Sequence, residues 1–295
     1  MSNQINFSHF PTAIEIHIQN GDHRWLKRSR DISRYFMARV QCRGYSQPLL
    51  DFLNNNDVWA TLFKQNIHRF NALLFKYADK RFSPKQRLEA ICQNFDEMQL
   101  QIGQQNCQKL VSSGTIKLVQ LTDEFSLNLD IYNIDPFEGF FSLSLVDSEN
   151  HHLYNASFTF LNENKLLITC IQGPKGADAQ NIVKNLTKKL HGMRPMYLLV
   201  EAFRLLAQGM NQELVGIPLE YQVKKRWYGA QKVYFDYNAF WKENEATLAN
   251  GYWHLSSQIE RRDLNEVATK KRSMYRKRYI MFDLMEAEIM KEIKV

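Results

Sequence analysis

Four cysteines in 295 residues, none of them in a CxxC pair, leave no spacing for a zinc ribbon and no disulfide framework. Cys42, Cys92, Cys107 and Cys170 sit in apolar or mixed segments, which fits separate reduced thiols in a cytosolic protein. No window reaches the ~18 apolar residues of a spanning helix, and Met1 to Phe10 lacks the basic and apolar regions of a signal peptide. The expectation is a cytoplasmic chain whose membrane contact is peripheral, on the inner membrane. A Gly-x-Ser-x-Gly elbow, a Walker loop and a His-Glu-x-x-His helix are all missing, which removes the simplest hydrolase, nucleotidase and metalloprotease readings. No repeat or low-complexity tract marks a linker between folding units.

What is present suits a globular protein. Apolar residues make up 44%, and 38 Lys plus Arg against 31 Asp plus Glu give a net charge of +7. That bias favours nucleic acid, anionic lipid or phosphorylated ligands without selecting among them. Residues 1–112 read as helical. Phe63, Ile67, Phe70, Leu73, Leu74 and Tyr77 form an apolar stripe, and Ser83-Pro84 opens a new helix ahead of Leu88, Ile91, Phe95 and Met98.

From Gly114 the apolar period falls to two, and four alternating segments separated by turn-rich stretches read as an antiparallel meander. It leads into a strand over Leu166 to Ile171. A helix burying Ile182, Val183, Leu186 and Leu190 follows, with Gly192 as its C′ residue and Pro195 starting the next helix. Strands at Leu214 to Ile217 and Val233 to Phe235 and a helix around Ala239 to Leu248 complete residues 113–255. Residues 256–295 form a basic helical segment. The fold class is α+β: a helical N-terminal region and a largely antiparallel sheet covered by helices, in one continuous unit.

The junction Gln172-Gly173-Pro174-Lys175-Gly176, followed by Asp178, is the candidate anion or cofactor site. Free N–H groups and the dipole at a helix start favour a phosphate or carboxylate there. The plainer alternative is a Gly-Pro turn with Asp178 as N-cap. His191 and Arg194 flank Gly192 and supply an imidazole and a guanidinium for an anionic ligand. The His151-His152 doublet lies in a predicted hairpin turn with no partner pair for a metal. Two basic clusters containing aromatics, Lys224-Lys225-Arg226 and Lys270, Lys271, Arg272, Arg276, Lys277 and Arg278, suit an anionic membrane surface or nucleic acid; the alternative is a solvated helix face. Phe282, Met285, Ile289 and Ile293 form a stripe that docks on the protein body.

Four blocks carry a family resemblance: Gln172-Gly-Pro-Lys-Gly-Ala-Asp-Ala, His191-Gly-Met-Arg-Pro, Phe235-Asp-Tyr-Asn-Ala-Phe-Trp and Lys270-Lys-Arg-Ser-Met-Tyr-Arg-Lys-Arg-Tyr. They resemble the bacterial VirK/YbjX family from about Trp25 to Glu288. The resemblance implies a Gram-negative protein linked to virulence-factor production, envelope integrity and tolerance of cationic antimicrobial peptides; it supplies no catalytic residue. The element order is also similar to the acyl-CoA-dependent N-acetyltransferase fold, whose loop and helix start bind the cofactor pyrophosphate. Here Lys175 stands where that fold has its first loop glycine, and two helices replace one. Three functions remain open: an envelope factor, an acyl-CoA-dependent transferase and a nucleic-acid-binding post-transcriptional regulator.

Overall fold

The computed structural model describes residues 5–18, 25–224 and 235–293. Helices α1 (Ala13–Ile18), α2 (Trp25–Gln41), α3 (Arg43–Asn54), α4 (Asp57–Gln65), α5 (Asn71–Leu74) and α6 (Pro84–Ser113) precede the sheet. The stripe from Phe63 to Tyr77 is not one helix. Asn66 is extended and its side chain accepts the His68 N–H, so α4 stops, a 3-10 turn covers Ile67–Phe70 and the short α5 follows. Helix α6 begins as its sequence predicts, with Ser83 and Gln86 in a reciprocal capping box and Pro84 in the first turn. Gly103, at φ 77 and ψ 159, kinks it midway, and left-handed Gly114 ends it.

Strands β1 (Thr115–Gln120), β2 (Phe125–Ile131), β3 (Phe141–Asp147), β4 (His152–Leu161) and β5 (Lys165–Gln172) form the expected antiparallel meander. Helices α7 (Ala179–Lys189) and α8 (Pro195–Gly209) then cross to β6 (Glu213–Gly216), which runs parallel to β5. Helix α9 (Tyr237–Glu243), strands β7 (Thr247–Ala249) and β8 (Tyr252–Leu255) and helix α10 (Thr269–Glu292) complete the order. The sheet reads β1-β2-β3-β4-β5-β6-β8-β7, so the α+β expectation holds, with one parallel pair among the described residues. The helix expected to reach Leu248 stops at Glu243 because Glu245 takes a positive φ of 60, and Leu248 lies in β7. Of the strand expected at Val233 to Phe235, residues 233 and 234 lie outside the described residues, and Phe235 sits in a bend before α9.

Register decides what each sheet face offers. The apolar set of β2, β3 and β4 packs with Trp59, Phe95 and Phe203 in one core that runs from Phe10 to Ile293. On the other face two polar rungs cross four strands: Asn128, Ser144, Asn155 and Gln172, then Asp130, Ser142, Ser157 and Cys170. Most of these small polar side chains are buried, so they must satisfy one another or a ligand.

Candidate functional site

The β2–β3 connection folds back against β4. Gly139 makes this possible. At φ +145 a Cβ there would stand 2.9 Å from the Phe158 carbonyl oxygen, so only glycine lets the backbone lie that close. Glu138, one residue earlier, is thereby held with 1% exposure among side chains from β5 and α9. Its Oε2 accepts from the Tyr132 hydroxyl at 2.6 Å, the Gln172 amide at 3.1 Å and the Lys224 ammonium at 2.9 Å. Its Oε1 has no partner among the described residues.

Cys170 and Tyr237 extend the cluster. Gln172 Nε2 lies 3.2 Å from the Cys170 sulfur, and the Tyr237 hydroxyl 3.5 Å from it. The β5–β6 pairing ends at Ile168 and Gly216, and among the described residues no strand pairs with the end of β5 on that side. Side chains replace the strand: the Tyr237 hydroxyl accepts the Ile171 N–H at 3.0 Å, and Gln222 donates to the Thr169 carbonyl at 3.0 Å. Trp241 closes the opening beside Gly216, where a Cβ would lie 2.5 Å from the indole.

Burial sets the protonation states. It pushes the Cys170 thiol up to about 12, assisted by the Glu138 charge, so the sulfur is a neutral thiol and a poor nucleophile at rest. Burial likewise raises Tyr132 and Tyr237 above the ordinary phenol range. For Lys224 burial pulls downward, but Glu138 and Asp135 outweigh it and hold the ammonium above its usual value. The arrangement is a compensated ion pair with one buried carboxylate oxygen that has no partner among the described residues and could accept an N–H or O–H.

The sequence-derived residues divide among several places. Gln172 and Lys224 are members of this cluster. Gly173 packs under the Tyr154 ring, where a Cβ would stand 2.4 Å from the nearest ring carbon. Lys175, Gly176 and Asp178 are exposed, and nothing lies within 4 Å of a Cβ at Gly176. Asp178 occupies the N-cap position of α7, but its carboxylate accepts from the Asn181 side chain at 2.8 Å and caps no backbone N–H. His191 and Arg194 lie beyond the far end of α7, whose 11 residues span about 16 Å. His191, at φ 52, takes the C′ position expected of Gly192, which follows it at φ 74, and the His191 carbonyl accepts from Arg278 Nη2 at 3.0 Å. Burial, then Lys277 and Arg278, lower its pKa. Arg194 is exposed, 5.7 Å over the Tyr197 ring.

In the basic clusters, Lys225 and Arg226 lie outside the described residues. On α10, Lys270, Lys271, Arg276 and Lys277 are exposed. Arg272 instead donates to the Val267 and Asn265 carbonyls, and Arg278 holds His191 and covers the Tyr275 ring. Sequence reading passes over Glu138 and Tyr132. A Glu-Gly pair in a turn is their only local signal, and the partner Gln172 is 34 residues away from Glu138.

The family described as "Protein of unknown function (DUF535)" matches residues 24–291. An "Uncharacterized protein" of Haemophilus influenzae is 44% identical over 280 residues, covering 95% of this chain and 96% of the relative. "Membrane protein LapB" of Mannheimia haemolytica is 32% identical over 224 residues, 74% of this chain and 95% of the relative. "Uncharacterized protein YbjX" of Escherichia coli K12 is 27% identical over 225 residues, 72% of this chain and 68% of the relative. No solved structure matches the chain. With the family match spanning nearly the whole chain and these relatives beside it, the chain belongs to the VirK/YbjX family.

Proposed function

We propose that the chain is an envelope-supporting factor, aiding surface-protein production or tolerance of antimicrobial peptides, that works against an anionic membrane face and is held there by α10. The observation that carries this is the division of that helix. Met281, Phe282, Met285 and Ile289 are buried against the protein, while Lys270, Lys271, Arg276 and Lys277 stand exposed. No helix among the described residues is long and apolar enough to cross a membrane. Lys270, Lys271 and Lys277 share one side of the helix, and at ~1 kcal/mol per cation near anionic lipid these three supply about 3 kcal/mol, a reversible and salt-sensitive attachment. The name of the Mannheimia relative, a membrane protein, supports the same setting. Co-sedimentation with phosphatidylglycerol vesicles should exceed that with phosphatidylcholine vesicles. Lys270→Glu, Lys271→Glu and Lys277→Glu together should abolish the difference without changing Tm. Equal binding by parent and triple variant overturns the reading, and steep salt-dependent binding of RNA in place of vesicles assigns a nucleic-acid regulator instead.

A second reading is acyl transfer from acyl-CoA. Its support is the parallel β5–β6 pair, which ends at Ile168 and Gly216 ahead of the Gln172–Asp178 loop and the start of α7. Tyr237, Gln222 and Trp241 fill the opening beside Gly216, so an acyl-CoA chain must displace them. Calorimetry with acyl-CoA is the check: Gly176→Val, forced to φ +98, should weaken binding, and a parent that binds no acyl-CoA ends this reading.

A further inference from the structure

Away from the Glu138 cluster, two buried charges of opposite sign each keep an unpartnered atom. Arg69, in the 3-10 turn, is 2% exposed. Its Nη1 donates to the Leu62 carbonyl at 2.9 Å and its Nη2 to Asn133 Oδ1 at 2.5 Å, while Nε has no partner. No carboxylate among the described residues forms an ion pair with it, and burial alone lowers its pKa, to about 10, so it stays charged at neutral pH. A guanidinium desolvated without a counter-ion is costly unless an anion joins it.

Asp130 is the complement. It is 3% exposed, and its Oδ2 is met by Ser144, with His152 Nδ1 at 3.5 Å. Its Oδ1 has no hydrogen-bond partner among the described residues; burial raises its pKa, against the Ser144 and Thr115 hydroxyls and His152, which lower it. Neither charge contributes to the other's protonation, so they do not compensate each other.

Both open into one groove. A cavity of about 410 Å³ is lined by Asp130, His152 and Asn155, and an adjoining one of about 310 Å³ by Arg69, Asn66 and Gln65. Gly114, Ile131 and Asn133 belong to the walls of both. We propose that this groove binds a small zwitterion, its anionic group on Arg69 and its ammonium on Asp130. Phosphoethanolamine and amino acids share that chemistry. The unpartnered Arg69 Nε would donate to the phosphate or carboxylate, and the unpartnered Asp130 Oδ1 would accept an ammonium hydrogen.

The test is calorimetry on the full chain with phosphoethanolamine, glycine, β-alanine and γ-aminobutyrate, each beside analogues that carry one pole, such as ethyl phosphate, ethanolamine, acetate and N-acetylglycine. The proposal requires at least one zwitterion to bind about tenfold or more tightly than both of its one-pole analogues, as two charge-assisted contacts should give. Tightest binding by phosphoethanolamine identifies a lipid-headgroup type of ligand; tightest binding by an amino acid identifies that class and the spacing. Arg69→Gln and Asp130→Asn should each reduce the affinity by about tenfold. Equal binding of one-pole analogues, binding indifferent to Asp130→Asn, or no binding of any probe at millimolar concentration overturns it. Should Arg69→Gln fail to fold, the ligand comparison on the parent protein decides alone.

Discussion

Replacing Glu201 by Gln should make the protein more stable at alkaline pH and leave it unchanged in acid. Glu201 sits on α8 with its side chain 16% exposed, 3.5 Å from Arg204 Nε. Burial raises its pKa from 4.5 to about 7; Arg204 opposes the rise, and Glu260 and Glu245 add to it. Because the folded state holds the proton more tightly than the unfolded chain, the stabilisation is complete below pH 4.5 and is lost as pH climbs through about 7. The gap of about 2.5 pH units, at ~1.4 kcal/mol each, sets the loss at ~3 kcal/mol. Gln mimics the protonated acid and does not titrate. Urea unfolding of parent and variant across this range isolates the group, since other carboxylates cancel in the difference. The variant should gain ~1–3 kcal/mol near pH 8 and match the parent near pH 4.5. A pH-independent difference, or a variant less stable than the parent at pH 8, would refute the reasoning and show that the Arg204 pairing dominates.

Glu138→Ala should cost about 1–3 kcal/mol in chemical denaturation, because it leaves the one-third-exposed Lys224 ammonium with Asp135 as its remaining ion-pair partner among the described residues; a loss under ~0.5 kcal/mol would mean that the pair is solvated. Gly139→Ala, at φ +145 and 2.9 Å from the Phe158 carbonyl oxygen, should lower stability by ~1–3 kcal/mol or more and slacken the loop that carries Glu138. Iodoacetamide should label Cys170 slowly at neutral pH until the chain unfolds, since burial holds the thiol at about 12; rapid native labelling read by mass spectrometry would contradict the closed site.

Local chemistry made much of the fold legible. The Ser83-Pro84 start, the β5 strand, the α7 boundary and the Pro195 start each rest on residues within one turn of the feature they fix. Breaks at Asn66 and Glu245 are less legible, since each rests on a single backbone conformation that other residue types also adopt. The site is legible only at Gln172 and Lys224. Alternation identifies Asn128, Asp130, Ser142 and Ser144 as one face, but not that this face is buried, because what lies over a sheet is decided by distant segments. Arg69 and Asp130 likewise meet one groove through tertiary packing, with no shared motif.

Helix α10 packs on both α8 and β1, with Gly209 leaving room for Met290 and Gly192 for Met274. During translation β1 therefore emerges roughly 150 residues before the helix that packs against it, a delay of about 8–30 s at ordinary elongation rates. Through that interval the nascent chain carries, at the open edge of its sheet, a strand that α6 backs but α10 does not yet cover, which is an invitation to chaperones and to neighbouring chains alike. Ribosomes stalled before residue 269 should hold a chain that recruits trigger-type holdases, and release should follow within seconds of α10 leaving the tunnel.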